Sequence, residues 1–406
     1  MSDHRADDTA APFRFEYDPA TLRYGPNCVD SLAEELAALN CERALVVTGS
    51  TVGETAAVMD PIRAGLGDRL AGVFAETTPA KRLGTAYDAL ERFRAVEADA
   101  IVAVGGGSSL DVAKVLATVA AADRGPETVG SEFVETGTIR VPDDGLPPVV
   151  AVPTTLAGAD LSQVAGVTAD PDTCPVAEPA SGGISDPNLM PAAVCYDPEV
   201  VATTPRSVLA ASAMNGFDKG VETLYASTAT PVTDATAMRG LDLLQDGLLA
   251  FGEGNDDDAV YQRLTEGIAL VQYGISRPGV TTLSLIHAFG HGLTRTYEVQ
   301  QGAAHAVVAP HALDYLFDAV DGRRDLLAEA FGVDDAEDPA AAVVESVAEV
   351  AAALDLPTRL RDVDGPTREE FPRVAEDVLS DAFMANAPAG FDPTLEDVER
   401  VLDAAW

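Results

Sequence analysis

The sequence predicts an α/β domain built on a parallel sheet, followed by an all-helical domain. Three observations carry this. Short apolar runs alternate with segments of helical period up to about residue 200, and strand signals almost vanish after that point. The chain has 406 residues, more than one ordinary domain holds and a length that fits two.

Taken in order, the run at 44–48 (ALVVT) ends at Gly49-Ser50 and reads as a buried strand and turn. The run at 70–74 is a second candidate, and 83–96 has helical spacing. A third strand at 100–104 runs into Gly105-Gly106-Gly107, and a fourth at 149–152 is stopped by Pro153. Continuous apolar runs of this kind suit parallel strands covered on both faces. The stretch from Gly125 to Pro148, rich in Gly, Pro and Asp, is expected to be a surface excursion. Long Ala- and Leu-rich segments of helical period then follow at 208–225, 233–249, 258–273, 340–354 and 395–405. The boundary is therefore expected just past Asp197-Pro198, dividing the chain into 1–200 and 201–406. No internal repeat at solenoid spacing is visible.

The net charge is −40. A surface this acidic repels nucleic acid and anionic lipid, so neither is expected as a partner. The charge is spread along the chain, as at Asp256-Asp257-Asp258, and the only lysines are Lys81, Lys114 and Lys219. Even acidity with lysine nearly absent points to adaptation to molar salt. No run reaches the roughly 18 apolar residues of a membrane span. The start, MSDHRADDTAAPF, lacks the basic and apolar regions of a secretory signal, so a cytoplasmic location is expected. Cys28, Cys41, Cys174 and Cys195 form no C-x-x-C pair and are expected as buried, reduced thiols.

Residues 101–114 read IVAVGGGSSLDVAK. A strand enters three glycines and Ser108, and a helix follows. Glycines admit a close ligand, and the helix N-terminus offers free N–H groups to a phosphate. Thr154-Thr155, after another strand, adds hydroxyls suited to a phosphate or ribose. At the end of the first strand stand Thr48, Gly49 and Ser50. No carboxylate there would repel a 2′-phosphate, so NADP is permitted alongside NAD.

Four of the five histidines, His287, His291, His305 and His311, fall within 25 residues. His287 and His291 are four apart in an apolar helical stretch and share a face, which points to a site. Asn215 and Lys219 are likewise four apart. In a chain so poor in lysine, Lys219 is a candidate for specific work. The alternative is a surface pair with Asp218 or Glu222.

These pieces form a pattern. GGGSSLDVAK at 105–114, VPTTLAGAD at 152–160, Asp197-Pro198, MNGFDKGVETLYA at 214–226, and the stretch from Ile286 to Leu313 resemble the iron-containing alcohol dehydrogenase superfamily over nearly the whole chain. The resemblance implies the fold shared with dehydroquinate synthase: a dinucleotide-binding α/β domain, a helical domain, and an active site in the cleft between them. It implies cofactor contacts at Gly105, Gly106, Gly107 and Ser108, with Asp111, Lys114, Thr154 and Thr155 nearby. It also implies a homo-oligomer.

Metal-dependent members of that superfamily bind iron or zinc through one aspartate and three histidines. At those positions this chain carries Asn215, Lys219, His287 and Gln301. The further histidine that the family places beside the substrate is present as His291. Two neutral amides and an ammonium are poor company for a cation, so no catalytic metal is expected. The maleylacetate reductase branch is the most similar. It shares the Met-Asn at 214–215, the T-x-A-G stretch and a run like His305 to Ala312, and it is regarded as metal-free, but it keeps histidines where Lys219 and Gln301 stand.

The expected activity is a metal-independent NAD(P)H-linked interconversion of a carbonyl and an alcohol. Lys219 would stabilise the oxygen, His291 would pass the proton, and His287, Asn215 and Gln301 would orient. Arg295 is a candidate for gripping a substrate carboxylate. Two other readings stand beside this one: a sugar-phosphate cyclase that uses NAD internally, and a non-catalytic dinucleotide-binding protein.

Overall fold

The structure is a computed structural model that describes residues 12–406. The acidic start read above for targeting lies, through residue 11, outside the described residues. Eight strands fall in the first half: β1 (Thr21–Tyr24), β2 (Ala44–Gly49), β3 (Leu70–Thr77), β4 (Ala100–Gly105), β5 (Val149–Pro153), β6 (Val164–Ala169), β7 (Ala180–Ser185) and β8 (Ala193–Tyr196). Six of them form one sheet in the order β1-β8-β5-β4-β2-β3, with every neighbouring pair parallel. β6 and β7 form a separate antiparallel pair.

The sheet is covered on both faces, and β4 shows why. Ile101 and Ala103 point into a core that runs on into the helical half. Ala100, Val102 and Val104 point into a second core with the Leu32–Ala38 and Ala56–Leu66 helices. Successive side chains on a strand alternate faces, so a strand apolar at every position needs two apolar partners. Each such Val or Ile buried contributes about 1.5–3 kcal/mol.

From Pro198 onward the chain is mainly helical. The longest helices are Arg206–Tyr225 (the lysine helix), Pro231–Gly252, Asp258–Gln272, Gln301–Ala319 (the glutamine helix) and Pro339–Ala353, and the shorter Leu285–Thr294 is the histidine helix. The lysine helix is buried nearly all round and forms the axis of this half. No described helix is long and apolar enough to cross a membrane.

Two expectations are corrected. Residues 125–148 are not wholly an excursion, because Pro126–Thr136 is a helix. Pro126 opens it, Gly137 closes it with φ +70°, and Val129 and Phe133, four apart, are buried. The helical half also contains a hairpin, β9 (Ser276–Arg277) and β10 (Val280–Thr281), turned at Pro278-Gly279. Two-residue strands are too short to leave a period.

The sheet topology sets where a ligand goes. The chain leaves β2 outward to β3 and then returns to β4 on the other side of β2, so the connection reverses between β2 and β4. Ligands in such sheets bind at the carboxyl ends of the strands at that reversal. Gly49 and Gly105 end the two strands there, and Gly105 is in register with Pro153 at the end of β5.

Candidate active site

The glycine turn forms because the backbone at Gly105 adopts φ +145°. A side chain there would also meet Ser109 Oγ at 2.8 Å. A Cβ at Gly106 would stand 3.1 Å from Thr155 Cγ2, which brings the threonine turn against the glycine turn. Thr154 N–H donates to Gly105 O at 3.1 Å and ties them together. A sixteen-residue helix, Gly107–Ala122, starts at the turn with its free N–H groups at the sheet edge. Thr48 is buried beside Gly105, Ser108 and Thr155 are partly buried, Thr154 is buried, and Ser50 is exposed. This cradle of small residues at a helix N-terminus fits a dinucleotide pyrophosphate.

Next to it lies a cavity of about 690 Å³, lined from both halves of the chain. Gly107 and Asp111 reach it from the glycine helix, and Asn215, Lys219, His287, His291 and Gln301 reach it from the helical half. Five positions spread over 87 residues of sequence, 215 to 301, thus share one wall.

Lys219 Nζ donates to the carbonyls of Ala157 and Gly158 at 2.8 and 2.9 Å, which anchors it to the segment that follows β5. Burial brings its ammonium down to about 8, against the pull of Asp160 and Glu222. The alternative, a surface pair with Asp218 or Glu222, is not formed: both carboxylates are fully buried and meet histidines, Glu222 with His287 and Asp218 with His305. His287 Nδ1 meets Glu222 Oε2 at 2.5 Å, and the His287 backbone N–H donates to Glu222 Oε1 at 2.9 Å. His287 Nε2 has no partner among the described residues, nor has Asn215 Oδ1. Burial pushes Glu222 up to about 7 and holds His287 well below the usual imidazole range. His305 is buried behind His287, 4.5 Å away between ring centres, and His311 is outside the cavity. His291 Nδ1–H donates to Asp381 Oδ2 at 2.9 Å, and the ring packs on Phe383.

Two expected contacts fail. Lys114 gives all three of its hydrogens to backbone carbonyls, those of Ala159, Ser162 and Val164, so nothing is left for a cofactor. Arg295 is exposed and pairs with Asp381 at 2.5 Å, outside the cavity wall. Four residues that sequence reasoning missed belong to the site. Glu222 and Asp381 hold the two histidines, Lys81 reaches the cavity and pairs with Asp111 at 2.6 Å, and Arg277 lines the cavity from the hairpin. Glu222 had a signal: Asn215, Lys219 and Glu222 follow the four-then-three spacing of one helix face.

The four positions that the resemblance assigns to metal ligands offer one imidazole nitrogen without a partner among the described residues, two neutral amides and a lysine already donating to two carbonyls. Among the described residues no group of three or more His, Cys, Asp or Glu is placed to hold a metal ion. That donor set does not fit a divalent cation.

Comparison with known proteins agrees in family. Residues 19–198 match the family described as iron-containing alcohol dehydrogenase, and residues 209–406 match the Fe-containing alcohol dehydrogenase family, C-terminal. Maleylacetate reductase 1 of Cupriavidus pinatubonensis is 26% identical over 94% of each chain. Lactaldehyde reductase of Escherichia coli is 26% identical over 95% of this chain and 98% of its own. Among solved structures, sulfoacetaldehyde reductase from Bifidobacterium kashiwanohense in complex with NAD+ superposes with a TM-score of 0.83 over 97% of this chain and 99% of its own, at 19% identity, which bears on fold alone.

Proposed function

This chain belongs to the iron-containing alcohol dehydrogenase family, as an NAD(P)-dependent alcohol dehydrogenase or reductase, and within it we propose a metal-independent enzyme that interconverts a carbonyl and an alcohol with Lys219 in the metal's place. The reading rests on Lys219. The residue lines the cavity, and its Nζ gives two of its three hydrogens to the Ala157 and Gly158 carbonyls and retains the third.

When bound, the nicotinamide supplies a hydride to the carbonyl carbon. The Lys219 ammonium stabilises the negative charge that builds on the oxygen. Asn215 and Gln301 orient that oxygen from the cavity wall. Glu222 fixes the ring of His287 so that Nε2 is available to the same oxygen. His291, partly open to solvent and held by Asp381, carries the proton in and out. Gly105, Gly106, Gly107 and Ser108 hold the pyrophosphate, with Thr155 beside them. The absence of a carboxylate at Thr48-Gly49-Ser50 leaves room for the 2′-phosphate of NADP.

The net charge of −40 and the scarcity of lysine support molar salt as the working medium. The test is oxidation of NADH and NADPH at molar KCl by chelator-stripped protein, against aldehydes, ketones and keto acids. Turnover that survives stripping is expected. Turnover lost on stripping and restored by iron or zinc would overturn the metal-free reading.

A further inference from the structure

Arg277 stands in the β9–β10 hairpin, is 6% exposed, and lines the cavity together with Lys219 and His287. Nη2 donates to the Thr228 carbonyl at 2.9 Å, and the guanidinium lies over the Phe15 ring, 5.0 Å from its centre. Nε has no partner among the described residues. No described carboxylate pairs with this arginine, in a chain of 66 acidic and 26 basic residues where other arginines such as Arg323 and Arg295 find one. A buried cation without a counter-ion is costly, and acids were plentiful.

The cavity's charges make the same point. Lys81 is balanced by Asp111, whereas Lys219 and Arg277 are bonded only to neutral carbonyls. Under a surface of charge −40, the interior of this cavity is cationic and draws anions. One cation serves the reacting oxygen, and the other is left for a second group on the same molecule.

We propose that Arg277 selects a carbonyl substrate bearing a carboxylate, which it holds at the hairpin end of the cavity while the carbonyl oxygen meets Lys219. This rests on the carbonyl-reductase reading above. A guanidinium matches a carboxylate in one plane, and Phe15 and the Thr228 carbonyl hold that plane before the substrate arrives. One guanidinium balances the single charge of a carboxylate, whereas a phosphate dianion brings a second charge.

The test compares succinic semialdehyde with its methyl ester and with glyceraldehyde 3-phosphate, in the intact protein and in Arg277→Met and Arg277→Lys. The intact protein is expected to favour the acid over the ester. Arg277→Met is expected to lower kcat/KM for the acid by about 10²–10³, chiefly through KM, and to move the ester less than about threefold. Arg277→Lys keeps the charge and is expected to recover part of the preference. Equal losses for acid and ester, or a preference for the phosphate, would overturn the proposal. Calorimetric binding of unreactive succinate to the protein with NADP+ separates this from the reductase reading. Succinate binding that Arg277→Met abolishes supports the carboxylate site even if no carbonyl compound turns over. Succinate binding unchanged in a folded Arg277→Met variant sinks it even if the enzyme is an active reductase.

Discussion

Two lysines grip the segment after β5, and their hydrogen bonds differ. Lys114, on the glycine helix, is 1% exposed and donates to Ala159, Ser162 and Val164, which leaves no hydrogen over. Lys219, on the lysine helix, donates to Ala157 and Gly158 and faces the cavity with a hydrogen to spare. Burial lowers both to about 8. A perturbed pKa therefore does not separate a lysine with a hydrogen left over from one that is fully bonded; the count of satisfied donors does.

The comparison breaks if the two lysines respond alike to removal. Lys114→Met should cost about 2–5 kcal/mol of stability, because three buried carbonyls lose their donor. A melt unchanged from that of the intact chain would contradict this. Lys219→Met should instead leave the melting temperature within a few degrees and lower kcat by about 10²–10³, the loss of one preorganised charge at the oxygen. Near-normal turnover in that variant would remove Lys219 from the mechanism.

The pH dependence sharpens the contrast. Both lysines titrate at about 8 in the folded chain and near 10.5 when unfolded. Between those values the unfolded chain binds more protons, so stability rises with pH. In the proposed mechanism reduction uses the Lys219 ammonium, so its rate should fall above about pH 8 as the lysines' contribution to stability climbs. Lys114→Met should flatten the stability rise and leave the rate limb in place; a rate limb that moved with Lys114 would assign the titration to the wrong lysine. The smallest effect belongs to Arg295. Its guanidinium is exposed, pairs with the buried Asp381 and lies outside the cavity wall, so Arg295→Ala should leave KM for keto acids within about twofold. A tenfold rise would return Arg295 to the substrate.

The strands β2, β3, β4 and β5 were legible as short apolar runs bounded by turn residues, and the long helices because each repeats an apolar spacing over enough residues to show a period. β1, β8 and the β6–β7 pair were not; the first two are four residues long, and β7, reading ASGGIS, carries hardly any apolar residue. Asn215, Lys219, His287, His291 and Gln301 could be picked from spacing and resemblance, and the cavity brings all five together. Arg277 and Arg295 show where this stops. Both are single arginines in irregular surroundings, and one-dimensional sequence does not say which of the two meets Asp381 and which is left without an acid.

By itself the sequence determined which chemistry was present: a glycine turn after a buried strand, three lysines in an acidic chain, and amides and an ammonium where a metal's ligands would stand. Those facts are local and follow from residue type and spacing. Only the tertiary structure decided what each group was free to do. Whether Lys114 or Lys219 keeps a hydrogen, and whether an arginine finds a carboxylate, depends on carbonyls and acids from distant segments, because hydrogen-bond and charge satisfaction are settled in space.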